Sequence, residues 1–97
     1  MRLEFHKEIQ SDILRIMEYY EDVAGSQLAN EFYAELKVYF QKAAESPESY
    51  IVRKHDLRRV NLNRFPYHFW FRIIDDRVRI LVIRHHKRRP LVNLRRR

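Results

Sequence analysis

The chain has 97 residues, of which 45% are hydrophobic, and it contains no cysteine. This composition excludes a disordered chain, a disulfide-stabilised scaffold and a thiolate metal site, and the length predicts a single domain over residues 1–97. The first residues lack the apolar core of a signal peptide, and no apolar run is long enough to span a membrane. We therefore expect a cytoplasmic protein with no membrane association.

The charged residues are divided unevenly between the two halves of the chain. Residues 1–48 contain five Lys or Arg and ten Asp or Glu, whereas residues 49–97 contain fifteen and three, so the net charges are −5 and +12. This asymmetry predicts that the second half presents a surface for a polyanion or an acidic partner, with the acidic half as solvated scaffold.

The first predicted elements are a short strand and an amphipathic helix. An alternating tetrapeptide near the N-terminus predicts a strand with Leu3 and Phe5 turned inward. Apolar residues then recur at helical spacing over residues 8–24, where Asp12 falls on the predicted polar face. Gly25, the only glycine of the chain, is expected to end this helix.

A second helix is predicted between Gly25 and Pro47. Ser26 is its expected N-cap, and Pro47 prevents its continuation. Its apolar stripe consists of Leu28, Phe32, Leu36, Tyr39, Phe40 and Ala43. Because the link between the two helices is so short, they should pack antiparallel as a hairpin.

After Pro47 the hydrophobic period changes from helical to alternating, which indicates strands. Three consecutive antiparallel strands are predicted over residues 57–64, 67–74 and 77–84. The last of them is expected to be central, since it is apolar on both faces, with Val78, Ile80 and Val82 on one and Leu81 and Ile83 on the other. The predicted fold is α+β, in the order β-α-α-β-β-β, with the helical hairpin packed on a small antiparallel sheet.

Basic residues concentrate at the end of the last predicted strand and on its neighbours. Because the segment from Arg84 continues directly from a core strand, it should be held in place rather than frayed. We expect it to form a surface for phosphates or an acidic protein, composed of Arg58, Arg59, Arg64, Arg72, Arg84, Lys87, Arg88 and Arg89. The terminal run of residues 95–97 is equally typical of a solvated tail that contributes little.

The histidines offer a second kind of chemistry. Imidazole titrates near neutrality, so His68, His85 and His86 are candidates for general acid–base catalysis with arginines stabilising the developing charge. A solvent-facing His68 without chemistry is the alternative. No metal site is predicted, because adjacent strand residues point to opposite faces and no cysteine or acidic cluster is near.

Other catalytic patterns are absent from the sequence. It contains no Ser/His/Asp arrangement, no paired catalytic carboxylates and no glycine-rich phosphate loop, so we expect neither a classical hydrolase nor a nucleotide cofactor. Phe69, Trp70 and Phe71 are predicted mainly as core. An exposed Trp70 would instead stack on a base or fill a pocket of a partner.

Six short segments, taken in their order and spacing, carry a resemblance to a known family. They are Leu3-Glu4-Phe5-His6, Tyr19-Tyr20-Glu21, Ser46-Pro47-Glu48, Asp56-Leu57-Arg58-Arg59, Arg64-Phe65-Pro66-Tyr67 and the segment 82–90. Together they resemble the RelE/ParE family of bacterial toxins from type II toxin–antitoxin modules, over nearly the whole chain. The fold of that family, two helices against a small antiparallel sheet, agrees with the one predicted from periodicity.

The resemblance implies two alternative activities. RelE-like members are ribonucleases that cut messenger RNA in the ribosomal A site, whereas ParE-like members poison DNA gyrase by binding it. Arg59 and Arg88 match basic positions of the RelE pattern, and His68 takes the place of an arginine. Asn61 and Leu94 stand where a second basic residue and a tyrosine are expected. The Arg-Phe-Pro-Tyr turn and the His-Lys-Arg-Arg-Pro ending are more similar to the ParE side.

The resemblance therefore implies the toxin of a plasmid stabilisation or addiction module, with ParE-like inhibition of DNA gyrase by binding. A cognate antitoxin is expected to neutralise it by docking a helix or strand on an apolar groove beside the helices and sheet. The alternative is a RelE-like, metal-independent mRNA interferase acting on the ribosome, with His68, Arg59, Arg88, His85 and His86 as catalytic residues. A plain nucleic-acid-binding module is a third class. A homodimer and a toxin–antitoxin hetero-oligomer are both compatible with the sequence.

Overall fold

The computed structural model describes residues 1–88 and 94–97. Its helices are α1 (Ile9–Ala24) and α2 (Ser26–Glu45), followed by one 3₁₀ turn (Pro47–Ser49); its strands are β1 (Arg2–Phe5), β2 (Val52–Lys54), β3 (Leu57–Asn61), β4 (Tyr67–Ile74) and β5 (Arg77–His85). The strands form one sheet in the order β1-β5-β4-β3-β2, in which β1 is parallel to β5 and the other pairs are antiparallel. The predicted α+β fold and element order are confirmed.

Two features of the sheet were not predicted. The edge strand β2 is only three residues long and fully exposed, so it has no apolar alternation by which it could be recognised. The parallel pairing of β1 with β5 joins residues more than 70 positions apart, for example Arg2 and Arg77. It makes β5 an interior strand, but the centre of the sheet, which was predicted for β5, is occupied by β4.

Gly25 ends α1 and starts α2. Its φ of 94° lies in the region that favours glycine, which confirms the predicted stop. Because this single residue links the helices, Ser26 is already the first residue of α2, and its predicted role as N-cap is wrong: no side chain caps that terminus. α1 and α2 pack against each other as the predicted hairpin and cover one face of the sheet.

The main core lies between the helices and the face of the sheet that they cover, here called the inner face. Phe32 and Leu36 of α2 are fully buried there against Phe69 and Phe71 of β4. Phe5 contacts Phe40 edge-on, with ring centroids 5.2 Å apart, but is 44% exposed. The expected inward position of Phe5 is therefore only partly realised, because β1 is an edge strand.

A β-bulge changes the predicted faces of β5. Trp70 pairs with Val82 whereas Phe71 pairs with Ile80, so Leu81 is the extra residue. Beyond the bulge the alternation is inverted, and Val82 joins Leu81 on the opposite, outer face while Ile83 enters the main core. The predicted placement of Val82 and Ile83 is thus wrong, because a periodic pattern does not reveal an inserted residue.

Candidate functional site

The outer face of the sheet holds several of the predicted site residues near the end of β5. Arg59 pairs with Trp70, and His68 pairs with Asn61 on one side and Arg84 on the other. Residues paired across neighbouring strands share a face, so the side chains of Arg59, His68 and Arg84 belong to one surface. Neighbouring strands lie about 4.8 Å apart, which places Arg84 one strand away from His68.

A pair of histidines, joined edge to edge through their Nδ1 atoms, occupies the middle of this surface. The rings of His68 and His86 lie 5.3 Å apart, 9° from parallel, and their Nδ1 atoms are 3.1 Å apart. The Nη2 atom of Arg59 is 3.4 Å from the same Nδ1 of His86. One Nδ1 of the pair must donate and the other accept, and the guanidinium of Arg59, which can only donate, favours Nδ1 of His86 as the acceptor.

His68 itself is inside the protein. Its side chain is 4% exposed, so the solvent-facing alternative for this residue is wrong. Burial, followed by the positive charge of Arg59, lowers the pKa of His68 to about 3. Burial and Arg59 also lower the pKa of His86. Both rings are therefore neutral at pH 7.

Acidic pH is expected to destabilise the protein through His68. The unfolded chain takes up the proton near pH 6.5 and the folded chain only near pH 3, so stability present above pH 6.5 is lost as the pH falls through this window. The loss amounts to about 1.4 kcal/mol per pH unit. Urea denaturation at pH 7.0, 5.5 and 4.5 measures it.

The matched control for this pH series is a second histidine. His68→Gln should flatten the pH dependence, whereas His55→Gln, at an exposed turn, should leave it steep. Parallel pH profiles for the wild type and His68→Gln would contradict the assignment.

Three of the predicted surface arginines have partners elsewhere. Arg58 lies on the inner face, opposite Phe71, and donates to the carbonyl oxygen of Tyr50 at 2.7 Å. Arg64 pairs with Glu31 of α2 at 3.0 Å, and Arg72 pairs with Asp56 at 3.4 Å. The structure does not bring these three together with the end of β5.

The residues after β5 form an exposed basic turn. The backbone N–H of Arg88 donates to the carbonyl oxygen of His85, and that of Lys87 to Nδ1 of His85, both at 3.0 Å. A cavity of about 610 Å³ is lined by Arg84, His85, Lys87 and Arg88. Burial, followed by the charge of Arg88, lowers the pKa of Arg84. Arg89, also predicted for this surface, lies outside the described residues.

Sequence reasoning missed a buried ion pair beside this surface. Asp12 is 2% exposed rather than on a polar face, and it accepts from Arg96 at 2.6 and 3.0 Å and from the N–H of Ile83 at 3.2 Å. The expectation of a loose tail over residues 95–97 is therefore wrong at Arg96. A signal was present, because Asp12 is three residues after Ile9 and four before Ile16, which is the spacing of the buried helix face.

The tail also covers part of the outer face. Leu94 packs on a small cluster formed by Leu57, Trp70, Leu81 and Val82. Trp70 is 7% exposed. The alternative of an exposed Trp70 that stacks on a base or enters a pocket of a partner is therefore wrong.

An apolar groove lies beside the helices and the edge strand β1. Its volume is about 730 Å³, and β1, α1 and α2 all contribute to it. Leu14 and Tyr33 expose much of their side chains there. Its apolar lining includes Leu3, Phe5, Ile13, Leu14, Met17, Tyr33 and Phe40.

Neither surface resembles a metal centre. Among residues 1–88 and 94–97, no three His, Asp or Glu side chains come together as a metal site requires. The two closest imidazoles, His68 and His86, have the positively charged Arg59 beside them instead of a carboxylate.

Comparison with solved structures places the fold. The chain is similar to a chain of the chromosomal ParDE toxin–antitoxin system from P. aeruginosa, with a TM-score of 0.80 and 18% identity over 88% of this chain and 95% of that one. The isolated RelE toxin of E. coli gives a TM-score of 0.60 at 19% identity, over 91% and 86% of the two chains. The intact RelBE complex of E. coli gives 0.60 at 20% identity, over 90% and 98%.

Comparison of sequences identifies the family. A family model described as ParE toxin of type II toxin-antitoxin system, parDE, matches residues 3–90. Toxin ParE2 of Mycobacterium tuberculosis, in strains CDC 1551 / Oshkosh and H37Rv, is 24% identical over 89 residues, which cover 92% of this chain and 85% of that protein. The chain therefore belongs to the ParE toxin family of type II toxin–antitoxin systems.

Proposed function

We propose that this toxin acts by binding its target rather than by cutting it, and that the target is DNA gyrase. The family match supports gyrase as the target, because inhibition of gyrase is what the resemblance to ParE-like toxins implies. The observation that carries the choice against cleavage is the state of His68. A general acid or base must reach its substrate, and His68 is buried. Its pKa of about 3 also makes the ring a weak base that holds no acidic proton to donate at pH 7.

The contact surface for the target is the basic turn after β5. Lys87 and Arg88 are exposed and form no ion pair with any acidic side chain of the described residues. Several arginines of the sheet do form one, such as Arg72 with Asp56 and Arg79 with Glu4. Unpaired positive charges on a fixed turn are available to an acidic or phosphate-bearing target.

A double alanine variant tests this surface. Lys87→Ala/Arg88→Ala should abolish growth arrest and leave the fold intact, since exposed charges without ion pairs contribute little to stability. Growth after induction and thermal unfolding are the two measurements. Lys42→Ala/Arg53→Ala removes two positive charges elsewhere and is the matched control. A folded Lys87/Arg88 variant that still arrests growth would show that the contact surface lies in another part of the molecule.

The process that stops first after induction distinguishes gyrase inhibition from messenger cleavage. Gyrase inhibition predicts that DNA synthesis stops before protein synthesis, and that the purified toxin blocks supercoiling by gyrase. The second candidate is a ribosome-dependent mRNA endonuclease, favoured by the clustering of Arg59, His86 and Arg88 at one end of the sheet. Site-specific messenger cuts that disappear on His86→Ala would establish this candidate instead.

The apolar groove is the proposed site of a cognate antitoxin. The structures similar to this chain include one of a ParDE system and one of an intact RelBE complex. The groove is lined by apolar residues of both helices and by Lys7 and Lys37, which suits an amphipathic segment with acidic flanks. We propose a toxin–antitoxin hetero-oligomer of a cytoplasmic, single-domain toxin. Rescue of growth by the neighbouring open reading frame tests the partner.

A further inference from the structure

We infer that Glu35 of α2 is a positioning residue for the basic turn: its carboxylate fixes the turn between β3 and β4, and that turn holds the segment after β5 in place. The turn between β3 and β4, here called the β3–β4 turn, consists of residues 62–66. The inference rests on the proposed function, because it concerns how the proposed contact surface for the target is held. It makes growth arrest depend on an acidic residue that lies outside that surface.

The carboxylate of Glu35 is the acceptor for three consecutive backbone N–H groups of the β3–β4 turn. Its Oε2 atom accepts from Asn63 at 3.1 Å and from Arg64 at 3.0 Å, with a longer contact of 3.5 Å to the N–H of Phe65. Successive N–H groups that converge on one point form a concavity suited to an anion, and hydrogen bonds to a charged acceptor are stronger than those between neutral groups. Here the anion is a side chain of α2, so the turn is tied to the helical hairpin.

The β3–β4 turn also holds the start of the segment after β5. The carbonyl oxygen of Pro66 accepts from the backbone N–H of His86 at 2.9 Å, and the rings of Tyr67 and His85 lie 5.0 Å apart. The pairing of β4 with β5 ends at Tyr67 and His85, so the bond from His86 to Pro66 continues the contact between the two chain segments by one residue. The position of the β3–β4 turn therefore determines where the chain runs after β5.

The placement of the basic turn depends on this bond. The N–H groups of Lys87 and Arg88 donate to His85, and these short-range bonds set the shape of the basic turn. They do not set its position against the rest of the sheet, whereas the backbone bond from His86 to Pro66 does. A contact surface that is already in place loses little freedom when the target binds, which favours affinity.

Loss of the Glu35 carboxylate should loosen the β3–β4 turn without unfolding the protein. Asn63 and Arg64 are exposed, so water can replace the carboxylate as the acceptor for their N–H groups with little loss of stability. Water does not tie the turn to α2, however, so the turn and the segment that it holds gain freedom. A role of Glu35 in stability alone would instead lower the unfolding temperature and leave the basic turn unchanged.

The experiment compares Glu35→Ala with Glu35→Gln and with Glu31→Ala in the full chain. Glu35→Gln keeps a side-chain oxygen that can accept from the turn. Glu31→Ala is the matched control, because Glu31 lies one helical turn earlier on α2 and its carboxylate pairs with the side chain of Arg64 at 3.0 Å. Amide NMR spectra, hydrogen exchange, thermal unfolding and the amount of induced toxin that arrests growth are the four measurements.

We expect Glu35→Ala to shift the amide resonances of His86, Lys87 and Arg88 and to speed hydrogen exchange at His86. The amount of toxin that arrests growth should rise by roughly 3- to 10-fold, the factor that corresponds to one lost hydrogen bond. The unfolding temperature should change little. Glu35→Gln should keep most of the toxicity, and Glu31→Ala should behave like the wild type in all four measurements.

Unchanged resonances and exchange at His86 in Glu35→Ala would overturn the inference, and so would effects of equal size in Glu31→Ala. If Glu35→Ala does not fold, Glu35→Asp, whose shorter side chain does not reach the turn, is measured in its place. A Glu35→Ala toxin as potent as the wild type, beside a Lys87→Ala/Arg88→Ala variant that no longer arrests growth, refutes this inference alone. A Lys87→Ala/Arg88→Ala variant that still arrests growth refutes the proposed contact surface, and the amide spectra then still decide whether Glu35 positions the basic turn.

Discussion

Replacing Arg96 by alanine is expected to lower the free energy of unfolding by about 3 to 5 kcal/mol, the usual cost of breaking a buried ion pair. Arg96 makes two hydrogen bonds to Asp12, at 2.6 and 3.0 Å, and one to the carbonyl oxygen of Leu81 at 3.2 Å. Without Arg96 the buried carboxylate loses its two short hydrogen bonds and keeps the N–H of Ile83 and a 3.3 Å contact from the exposed Arg15. The loss of stability is large because an uncompensated charge in the interior is unfavourable.

Urea denaturation of the full chain measures this effect. Arg95→Ala is the matched control, because Arg95 is the exposed neighbour in the same tail and its loss should change stability little. In a double-mutant cycle, Asp12→Ala/Arg96→Ala should cost less than the sum of the two single changes. An Arg96→Ala variant as stable as Arg95→Ala would show that the tail is not anchored at this position.

The ion pair has a structural task at the edge of the sheet. β1 accompanies β5 only as far as Ile80, where the N–H of His6 donates to its carbonyl oxygen. Beyond that point Asp12 accepts from the N–H of Ile83 and Arg96 donates to the carbonyl oxygen of Leu81. Two side chains thus replace the backbone of a neighbouring strand. They hold β5 immediately before the basic turn that is proposed to contact the target.

The predictable parts of the fold are those set by local periodicity. The helices were recognised from apolar stripes and from Gly25 and Pro47, and the three consecutive strands from their alternation. The bulge at Leu81 and the parallel pairing of β1 depend on contacts between distant residues, and no local pattern encodes them. The spacing of Asp12 from Ile9 and Ile16 did indicate the buried face, but the partner that makes burial of this carboxylate possible, Arg96, lies 84 positions away.

The sequence indicates the positive charge of the candidate site but not the side-chain contacts within it. Because Arg84 belongs to a core strand, the position of the following cations could be inferred from the sequence. The contact between His68 and His86 could not, since it depends on the turn that the chain makes directly after β5. Arg58, Arg64 and Arg72 were wrongly grouped with this surface because the sequence does not show which carboxylate or carbonyl each would reach.

Phe32→Ala is expected to be the most damaging change in the helical hairpin. Phe32 is fully buried, and its ring lies 5.7 Å from that of Tyr20 and 5.4 Å from those of Phe65 and Tyr67. Removal of such a ring leaves a cavity and costs about 3 to 5 kcal/mol. Total stabilities of small domains are about 5 to 15 kcal/mol, so the variant should be close to unfolding.

This change should affect stability and growth arrest together, unlike the removal of Lys87 and Arg88. Val38→Ala is the control, because Val38 lies on the same helix with its side chain exposed. Phe32→Leu keeps most of the apolar volume, so its stability should lie between those of Phe32→Ala and Val38→Ala. Thermal unfolding measured beside growth after induction decides the outcome. A Phe32→Ala protein that unfolds like the Val38→Ala control would mean that the aromatic cluster does not hold the hairpin on the sheet.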